Sequence, residues 1–368
     1  MIIRRFRASD FRNIESCDIE FTDGVNLLYG RNAQGKTNVI EGIYIFSRGK
    51  SFRAREDSEL VKFGKEGFRL SIEYDEGVHK RSLEYALFGK ERLRKKNGYK
   101  ISKVTEMIGS LKCVLFYPDD LKIVKGGPEE RRGFLNVAVS LINGTYLKMY
   151  SDYKKALENR SCSLKFINKG YPVSRDELLS WSESMAEYAS YIYLEREKYI
   201  EALSKYAGEV MIDISDGGEN LSLSHECDIE VGLTDRDDVR RAYLKLFTEN
   251  LDREISAGVT LYGPHRDDIK IKINDFDSRL YASQGQQRSA VLSLKLAEGE
   301  LIKEMCGEYP VYLFDDVLSE LDDKRKKYVL SGALGKQFII TSCEAEDLIG
   351  YTDNEIDVSG GKYVSSYR

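Results

Sequence analysis

Two short stretches, far apart in the chain, contain residues whose types and spacing could do chemistry together. Gly30-Arg31-Asn32-Ala33-Gln34-Gly35-Lys36-Thr37 is a full match to the phosphate-loop pattern G-x-x-x-x-G-K-[ST]. Gly30 and Gly35 permit backbone geometry that a Cβ would block, so successive N–H groups can turn inward on phosphate oxygens. Lys36 offers a point charge to the β- and γ-phosphates of a nucleotide, and the Thr37 hydroxyl is suited to Mg²⁺. The second stretch, Pro310-Val311-Tyr312-Leu313-Phe314-Asp315-Asp316, ends an apolar run in two acids. At the end of a buried strand, Asp315 would enter the Mg²⁺ shell and Asp316 would face the attacking water.

The elements that must position these groups can be read around them. Val25–Tyr29 is a short apolar strand ending at Gly30, and Thr37-Asn38-Val39-Ile40-Glu41 opens a helix whose N-terminal dipole favours an anion. The 310–314 run is expected as a parallel strand beside the phosphate loop. Ser289–Glu300 reads as a helix, preceded by Ser283-Gln284-Gly285-Gln286-Gln287-Arg288. The N-terminal Met1-Ile2-Ile3-Arg4-Arg5 lacks the apolar core of a signal peptide and reads as an edge strand with basic residues.

Ser283-Gln284-Gly285-Gln286 resembles the signature motif of the ATP-binding-cassette ATPases, and Ser319-Glu320-Leu321-Asp322 resembles their D-loop. In that superfamily the signature of one protomer closes over the γ-phosphate held by the other, so the resemblance implies an ATP-bridged homodimer. Ser283 and the N–H groups of Gly285 and Gln286, at a helix N-terminus, would then form a second anion site, and ATP would stabilise the dimer as a ligand. Lys36 and Asp315 are 279 positions apart, more than a transporter cassette needs and hundreds fewer than a long coiled-coil SMC protein. A transporter cassette or a monomeric P-loop phosphotransferase is the competing reading. The first would be expected to carry a switch histidine and a Glu after Asp315, and the second has no need of the signature.

The whole pattern resembles the RecF family of bacterial recombination-mediator ATPases. Further matches are Phe11-Arg12-Asn13, Gly49-Lys50-Ser51-Phe52-Arg53, Phe116-Tyr117-Pro118-Asp119-Asp120-Leu121, Gly126-Gly127-Pro128-Glu129-Glu130-Arg131-Arg132 and Gly263-Pro264-His265-Arg266-Asp267-Asp268. The resemblance implies an α/β fold, an ABC-type (SMC-like) P-loop ATPase head with an inserted helical lobe. It implies ATP and Mg²⁺ as cofactors, with ATP held by residues 30–38, Ser283, Gly285 and Gln286. Lys36, Asp315 and Asp316 would act in catalysis, and Thr37 and Asp315 would hold the metal. It further implies slow hydrolysis as a switch, binding of double-stranded DNA and single-strand/double-strand junctions, and partnership with RecR in support of RecA loading at gaps.

Two positions depart from the superfamily. Asp316 stands where Glu is usual, which suits a slow switch. The switch histidine would fall near Cys343, in Gln337-Phe338-Ile339-Ile340-Thr341-Ser342-Cys343; Cys cannot replace imidazole as a phosphate sensor, which leaves Thr341 or Ser342 for that place. No Mg²⁺-contacting glutamine is evident, and Asp119 and Asp120 are read as structural.

Three parts are expected: residues 1–126 and 256–368 as the two parts of the head, and 127–255 as the helical insertion. Gly127-Pro128-Glu129-Glu130 starts one helix, with proline early and acids in its first turn. Ser174 and Glu177 suggest a capping box for another. After it, Leu178, Trp181, Met185, Tyr188, Ile192, Tyr199, Leu203 and Tyr206 mark a seam that packs against a neighbouring helix. Asn97-Gly98 signals a two-residue hairpin turn, and Arg92, Arg94, Lys95 and Lys96 make its arms basic. That density suits DNA phosphates, or equally an edge hairpin kept soluble by lysines.

The charge balance of −5 does not itself suggest a nucleic-acid partner. Its distribution is more informative: residues 1–110 hold 22 Lys+Arg against 16 Asp+Glu, and the remainder holds 34 against 45. No base-reading motif occurs, so DNA contact would be directed to backbone and shape. His79, His225 and His265 are too dispersed for a metal site, and Arg266 would either reach toward phosphate or hold an interface. Six scattered cysteines without a Cys-x-x-Cys pair fit a reducing cytoplasm. No apolar run approaches the ~20 residues of a membrane span.

Overall fold

The strand Val25–Tyr29 is interior to a six-stranded sheet because it is apolar on both faces. A computed structural model describes residues 1–343, 348–359 and 361–367. Parallel neighbours of Val25–Tyr29 are Gln337–Ser342 on one side and Asn354–Ser359 on the other. Beyond Gln337–Ser342 come Val311–Asp315 and then Cys113–Phe116, both parallel, while Lys362–Tyr367 closes the other edge antiparallel. The strand carrying Asp315 is therefore parallel, as expected, but not directly beside the phosphate-loop strand. Gln337–Ser342, buried along its whole length, lies between them.

A second six-stranded sheet is antiparallel and takes in Ile2–Phe11, Ile14–Glu20, Gly67–Glu76, His79–Phe88, Glu91–Lys96 and Tyr99–Lys100. Ile2–Phe11 is an interior strand here, paired on both sides, and not the edge expected from its arginines. Those arginines find acids on the neighbouring strands. Arg5 pairs with Asp18 at 2.5 Å, Arg7 with Glu73 at 2.8 Å and Arg4 with Asp75 at 2.6 Å, while Phe6 and Ala8 turn to the core. Helix Lys36–Arg48 contributes Val39, Ile40, Ile43 and Phe46 to one core with Phe6, Phe68 and Ile72 of this sheet and Leu28, Leu313 and Ile339 of the other. Each fully buried side chain of this kind is worth about 1.5–3 kcal/mol relative to exposure.

The chain divides into two compact units. The first takes residues 1–120, 213–217 and 291–368, and the second 121–212 and 218–290. These divisions differ from the 126/127 and 255/256 boundaries expected from sequence. The strand Asp268–Ile273 pairs with Leu221–Glu226, which draws 256–290 into the second unit. That pairing also gives the insertion a three-stranded sheet beside its helices.

In the second unit, helices Pro128–Ile142, Gly144–Asn168 and Arg236–Glu249 accompany all but the last two residues of Arg175–Ile214, a helix of 40 residues. Leu178, Met185, Ile192, Tyr199 and Leu203 are buried along the expected seam. The capping box forms only in part: Ser174 Oγ accepts from the Asp176 N–H at 3.2 Å, but Glu177 takes the Ser163 hydroxyl of the preceding helix at 2.8 Å. Buried ion pairs hold the unit together, Arg160–Glu254 at 2.6 Å and Arg196–Asp267 at 2.8 Å. Losing one partner of such a pair would cost about 3–5 kcal/mol, because the other charge stays buried. Among the described residues no helix is long and apolar enough to cross a membrane.

Candidate functional site

The loop between Tyr29 and Lys36 is shaped by backbone that its residues allow. Gly30, Ala33 and Gly35 all have positive φ, at 142°, 64° and 110°. A Cβ on Gly30 would collide with the Val358 carbonyl oxygen, and one on Gly35 would lie 2.9 Å from both Asn13 Oδ1 and Tyr363 Oη. The glycine requirement is thus steric as well as conformational. Asn13 Nδ2 donates to the Ala33 carbonyl at 2.8 Å, and Cys343 Sγ to Asn32 Oδ1 at 2.7 Å. These bonds tie the loop at two further points. The Lys36 ammonium lies over it, 2.5 Å from the Gly30 carbonyl and 3.0 Å from that of Arg31.

Thr37 and Asp315 meet one strand away. Thr37 Oγ1 donates to Asp315 Oδ1 at 2.9 Å, and Thr341 Oγ1 donates to the same oxygen at 2.8 Å. The sheet register explains the second contact, since Thr341 stands opposite Asp315 on one side and Leu28 on the other. Thr341 Oγ1 also accepts from the Asp316 N–H at 2.9 Å. Burial raises the Asp315 carboxyl pKa, and the two threonine hydroxyls only partly offset that. A buried carboxylate and a hydroxyl beside an inward-turned loop and an ammonium suit Mg²⁺ and a polyphosphate: the metal would relieve the burial of the charge.

Asp316 follows with φ of 55°, in the left-handed region where Asp is better tolerated than Glu. The backbone thus supplies a reason for Asp where the superfamily uses Glu. Ser319 Oγ donates to the Asp316 carbonyl at 3.0 Å, and Asp322 caps the next helix by accepting from the Arg325 N–H at 2.9 Å. Cys343, at the expected switch place, lies with its Sγ 3.7 Å from Lys36 Nζ. Thr341 is committed to the two aspartates. Asp120 bears out its structural reading: it is buried against Lys295 at 3.2 Å, and burial pushes its carboxyl up to about 6.

In the second unit, Ser283 caps helix Gln284–Cys306. Its Oγ accepts from the Gln286 N–H at 3.2 Å, while Gln286 Oε1 accepts from the Ser283 N–H at 2.8 Å. This reciprocal box places Ser283, Gly285 and Gln286 at a helix N-terminus, and a Cβ built on Gly285 would meet, apart from its chain neighbours and the helix backbone, only Ser283 Oγ within 4 Å, at 3.9 Å. Phe276, Leu280 and Tyr281 precede it as large exposed apolar side chains, 65%, 70% and 71% accessible.

The basic hairpin forms with its turn at Asn97 and Gly98, φ 51° and 81°. Its cations are engaged within the first unit. Arg92 pairs with Asp57 at 2.7 Å, Lys95 with Glu84 at 3.2 Å, Lys96 Nζ donates to Ser110 Oγ at 2.8 Å, and Arg94 lies over the Tyr85 ring at 5.0 Å. Lys90 and Lys100, in the same stretch, are exposed.

Sequence reasoning assigned no role to three polar neighbours of the loop, Asn13, Glu41 and Arg53, and offered Thr341 for a phosphate-sensing place where it instead bonds Asp315 and the Asp316 N–H. Arg53 Nη2 donates to Asn38 Oδ1 at 2.6 Å and to Glu41 Oε2 at 2.5 Å. Nor did it find the buried role of Asp267, which joins Arg196 at 2.8 Å and His225 at 3.0 Å. Arg266, beside it, is exposed.

Comparison with known proteins gives a consistent picture. The model of the RecF/RecN/SMC N-terminal domain family matches residues 2–359. The chain is 39% identical over 348 residues to the DNA replication and repair protein RecF of Clostridioides difficile (strain 630), covering 94% of this chain and 92% of that one. It is 38% identical over 358 residues to RecF of Clostridium novyi (strain NT), covering 97% of each. Among solved structures, the recombination mediator protein RecF–ATPrS in the RecFOR pathway superposes with a TM-score of 0.92 at 36% identity, over 99% of this chain and 97% of that one. A RecF–ATP structure gives 0.91 at 35%, over 100% and 97%. An Smc head domain from Pyrococcus furiosus, at 17% identity and a TM-score of 0.59, shares the fold, over 100% of this chain and 96% of that one.

Proposed function

The chain belongs to the RecF/RecN/SMC N-terminal domain family, and within it to the RecF proteins of DNA replication and repair; from that membership and the site we propose that it is an ATPase switch that dimerises around ATP on DNA. The single observation that carries the reading is the Thr37–Asp315–Thr341 cluster at 2.8–2.9 Å beneath the glycine-shaped loop.

The loop N–H groups and Lys36 would hold the β- and γ-phosphates. Thr37 and Asp315 would hold Mg²⁺, which when bound supplies charge neutralisation at the phosphate oxygens. Asp316, whose backbone is held by Thr341 and Ser319, would use its carboxylate to orient and deprotonate water. The shorter acid and its left-handed backbone support slow turnover, as befits a switch. Ser283 and the helix N-terminus it caps would complete the site on a second copy, and the exposed Phe276, Leu280 and Tyr281 beside it support a protein contact there.

The solved RecF relatives are described as recombination mediators of the RecFOR pathway, which supports a role at gapped DNA with RecR as partner and RecA loading as the outcome. Contact with double-stranded DNA and with single-strand/double-strand junctions would be made through phosphates. The hairpin cations Arg92, Arg94, Lys95 and Lys96 would contribute less than free cations, because each already has an internal partner.

Light scattering tests the switch. With ATP, Mg²⁺ and duplex DNA the mass is expected to double, and a chain that stays monomeric under those conditions overturns the reading. A pull-down on gapped against plain duplex, with and without RecR, tests the site of action; equal ATP-independent capture of both would remove the gap assignment.

A further inference from the structure

Glu41 lies in the first turns of the phosphate-loop helix, yet it is fully buried. Its side chain is 0% exposed, and it collects four hydrogen bonds. Arg12 donates through Nε at 3.0 Å and Nη2 at 2.8 Å, Ser51 through its hydroxyl at 2.5 Å, and Arg53 through Nη2 at 2.5 Å. A buried carboxylate satisfied on both oxygens by two guanidinium groups is costly to assemble, and one arginine would have sufficed to neutralise it. The second one, Arg53, is drawn in from a separate loop. Ser51 fixes that loop by accepting from the N–H groups of Arg53 at 2.9 Å and Ala54 at 2.8 Å.

From Arg53 the bonds run on to the phosphate loop. Arg53 Nη2 donates to Asn38 Oδ1 at 2.6 Å, Asn38 Nδ2 to Asn13 Oδ1 at 2.7 Å, and Asn13 Nδ2 to the Ala33 carbonyl at 2.8 Å. The Arg53 side chain remains 38% exposed, and its charge is near enough to oppose the rise that burial imposes on Asp315. The same Nη2 is thus bonded both to the buried Glu41 and to Asn38, which directly follows Thr37.

We propose that Glu41 is a positioning residue for nucleotide hydrolysis, holding the Arg53 guanidinium beside the phosphate loop. A cation fixed before the reaction begins needs no reorganisation as charge develops on a transferring phosphoryl group. Held loosely, the same cation loses most of that value. Glu41 therefore acts through Arg53 and touches no nucleotide itself. The inference rests on the reading of the loop as an ATP site.

A double-mutant cycle on the full-length protein tests it, with turnover and ATP affinity measured separately. Glu41→Gln and Arg53→Gln are each expected to lower turnover about tenfold with affinity changed by less than about threefold. The double variant is expected to be no slower than Arg53→Gln alone, since the two residues act as one unit. A second readout needs no nucleotide: phenylglyoxal modification of Arg53, followed by mass spectrometry, should be several-fold faster in Glu41→Gln. Wild-type turnover in Glu41→Gln, multiplying losses in the double variant, or an unchanged modification rate would each overturn the proposal. Should Glu41→Gln fail to fold, Asn38→Ala takes its place in the modification assay, where an unchanged Arg53 rate counts equally against it. A wild-type protein that does not bind ATP would sink the functional reading instead, so the two failures are distinct.

Discussion

Thr37 Oγ1, in the first turn of the helix that follows the phosphate loop, donates to Asp315 Oδ1 at 2.9 Å, although the strand leading into that loop and the strand ending at Asp315 are not neighbours in the sheet. The intervening strand Gln337–Ser342 makes the contact possible by placing Thr341 against the same carboxylate oxygen. Two hydroxyls on one oxygen orient the carboxyl without neutralising it, so the group is held ready for a cation at some cost to the free protein.

That cost has a measurable sign. The folded-state pKa of Asp315 is raised, so the folded protein binds more protons than the unfolded one above the ordinary Asp range, and stability falls as pH rises through that window. Asp315→Asn should raise the melting temperature at neutral pH. Mg²⁺-dependent hydrolysis should fall by about two orders of magnitude in the same variant. Calorimetry and a phosphate-release assay on one preparation would check both, and a lower melting temperature would contradict the account of Asp315.

Asp316 offers a sharper separation of backbone from chemistry. At φ 55° the position tolerates Asn but strains Glu. Asp316→Asn should keep wild-type stability, lose turnover and prolong the ATP-bound dimer in light scattering. Asp316→Glu should cost about 1–2 kcal/mol in chemical denaturation from the left-handed backbone alone. Continued turnover in the Asn variant would move the base role elsewhere.

The legibility of this site in the sequence followed the range of the forces involved. Gly30–Thr37 could be read outright because its constraints are local, a φ here and a close approach there. Asp315 could be read as a strand end, but its register could not, because apolar runs such as Val311–Phe314 and Phe338–Ile340 carry no signal of which strand lies next to which. Arg4 and Arg5 suggested an edge strand because their partners, Asp75 and Asp18, are supplied by other strands. The Glu41 cluster was hidden for the same reason: Arg12, Glu41 and the loop carrying Ser51 and Arg53 belong to three separate segments that only the fold assembles.

The second unit contains two histidines with opposite pH behaviour. His225 lies between Glu197 and Asp267, at 2.5 and 3.0 Å. Burial opposes its charge, but hydrogen bonds to both acids overcome that and raise its pKa. Its contribution is full below the ordinary His value and is lost as pH rises through the raised one. Burial pushes His265 down to about 4; its neutral ring, with Tyr153 Oη at 2.7 Å and the Thr260 carbonyl at 3.2 Å, is destabilised as pH falls from about 6.5 toward that value. Melting curves across pH should show His225→Gln most harmful on the acid side and His265→Gln flattening the acid-side loss. Parallel curves for the two variants would refute the assignment.

Neutralising Arg92, Arg94 and Lys95 should weaken duplex binding equally across sequences. Three free phosphate contacts would change the salt slope by about 2.7. The ion pairs to Asp57 and Glu84 already compete for two of these cations, so a change of about 1 is expected in a fluorescence titration over salt concentration. An unchanged slope would take the hairpin out of the DNA interface.

Ser283 tests dimerisation apart from nucleotide binding. Its hydroxyl accepts from the Gln286 N–H and its own N–H is capped in return, so replacing it removes a helix cap worth about 1 kcal/mol as well as any contact to a partner's nucleotide. Two substitutions separate the effects. Ser283→Ala loses the cap and the hydroxyl's contact but adds nothing to obstruct the face, and should lower stability slightly and weaken ATP-dependent association without abolishing it. Ser283→Arg loses the cap and adds a long cation where the exposed Leu280 and Tyr281 face outward. It should bind ATP as wild type does in equilibrium titration yet remain monomeric in light scattering. If the Arg variant still pairs with ATP, the signature helix does not close over a partner's phosphate. The dimer would then have to be built on another face.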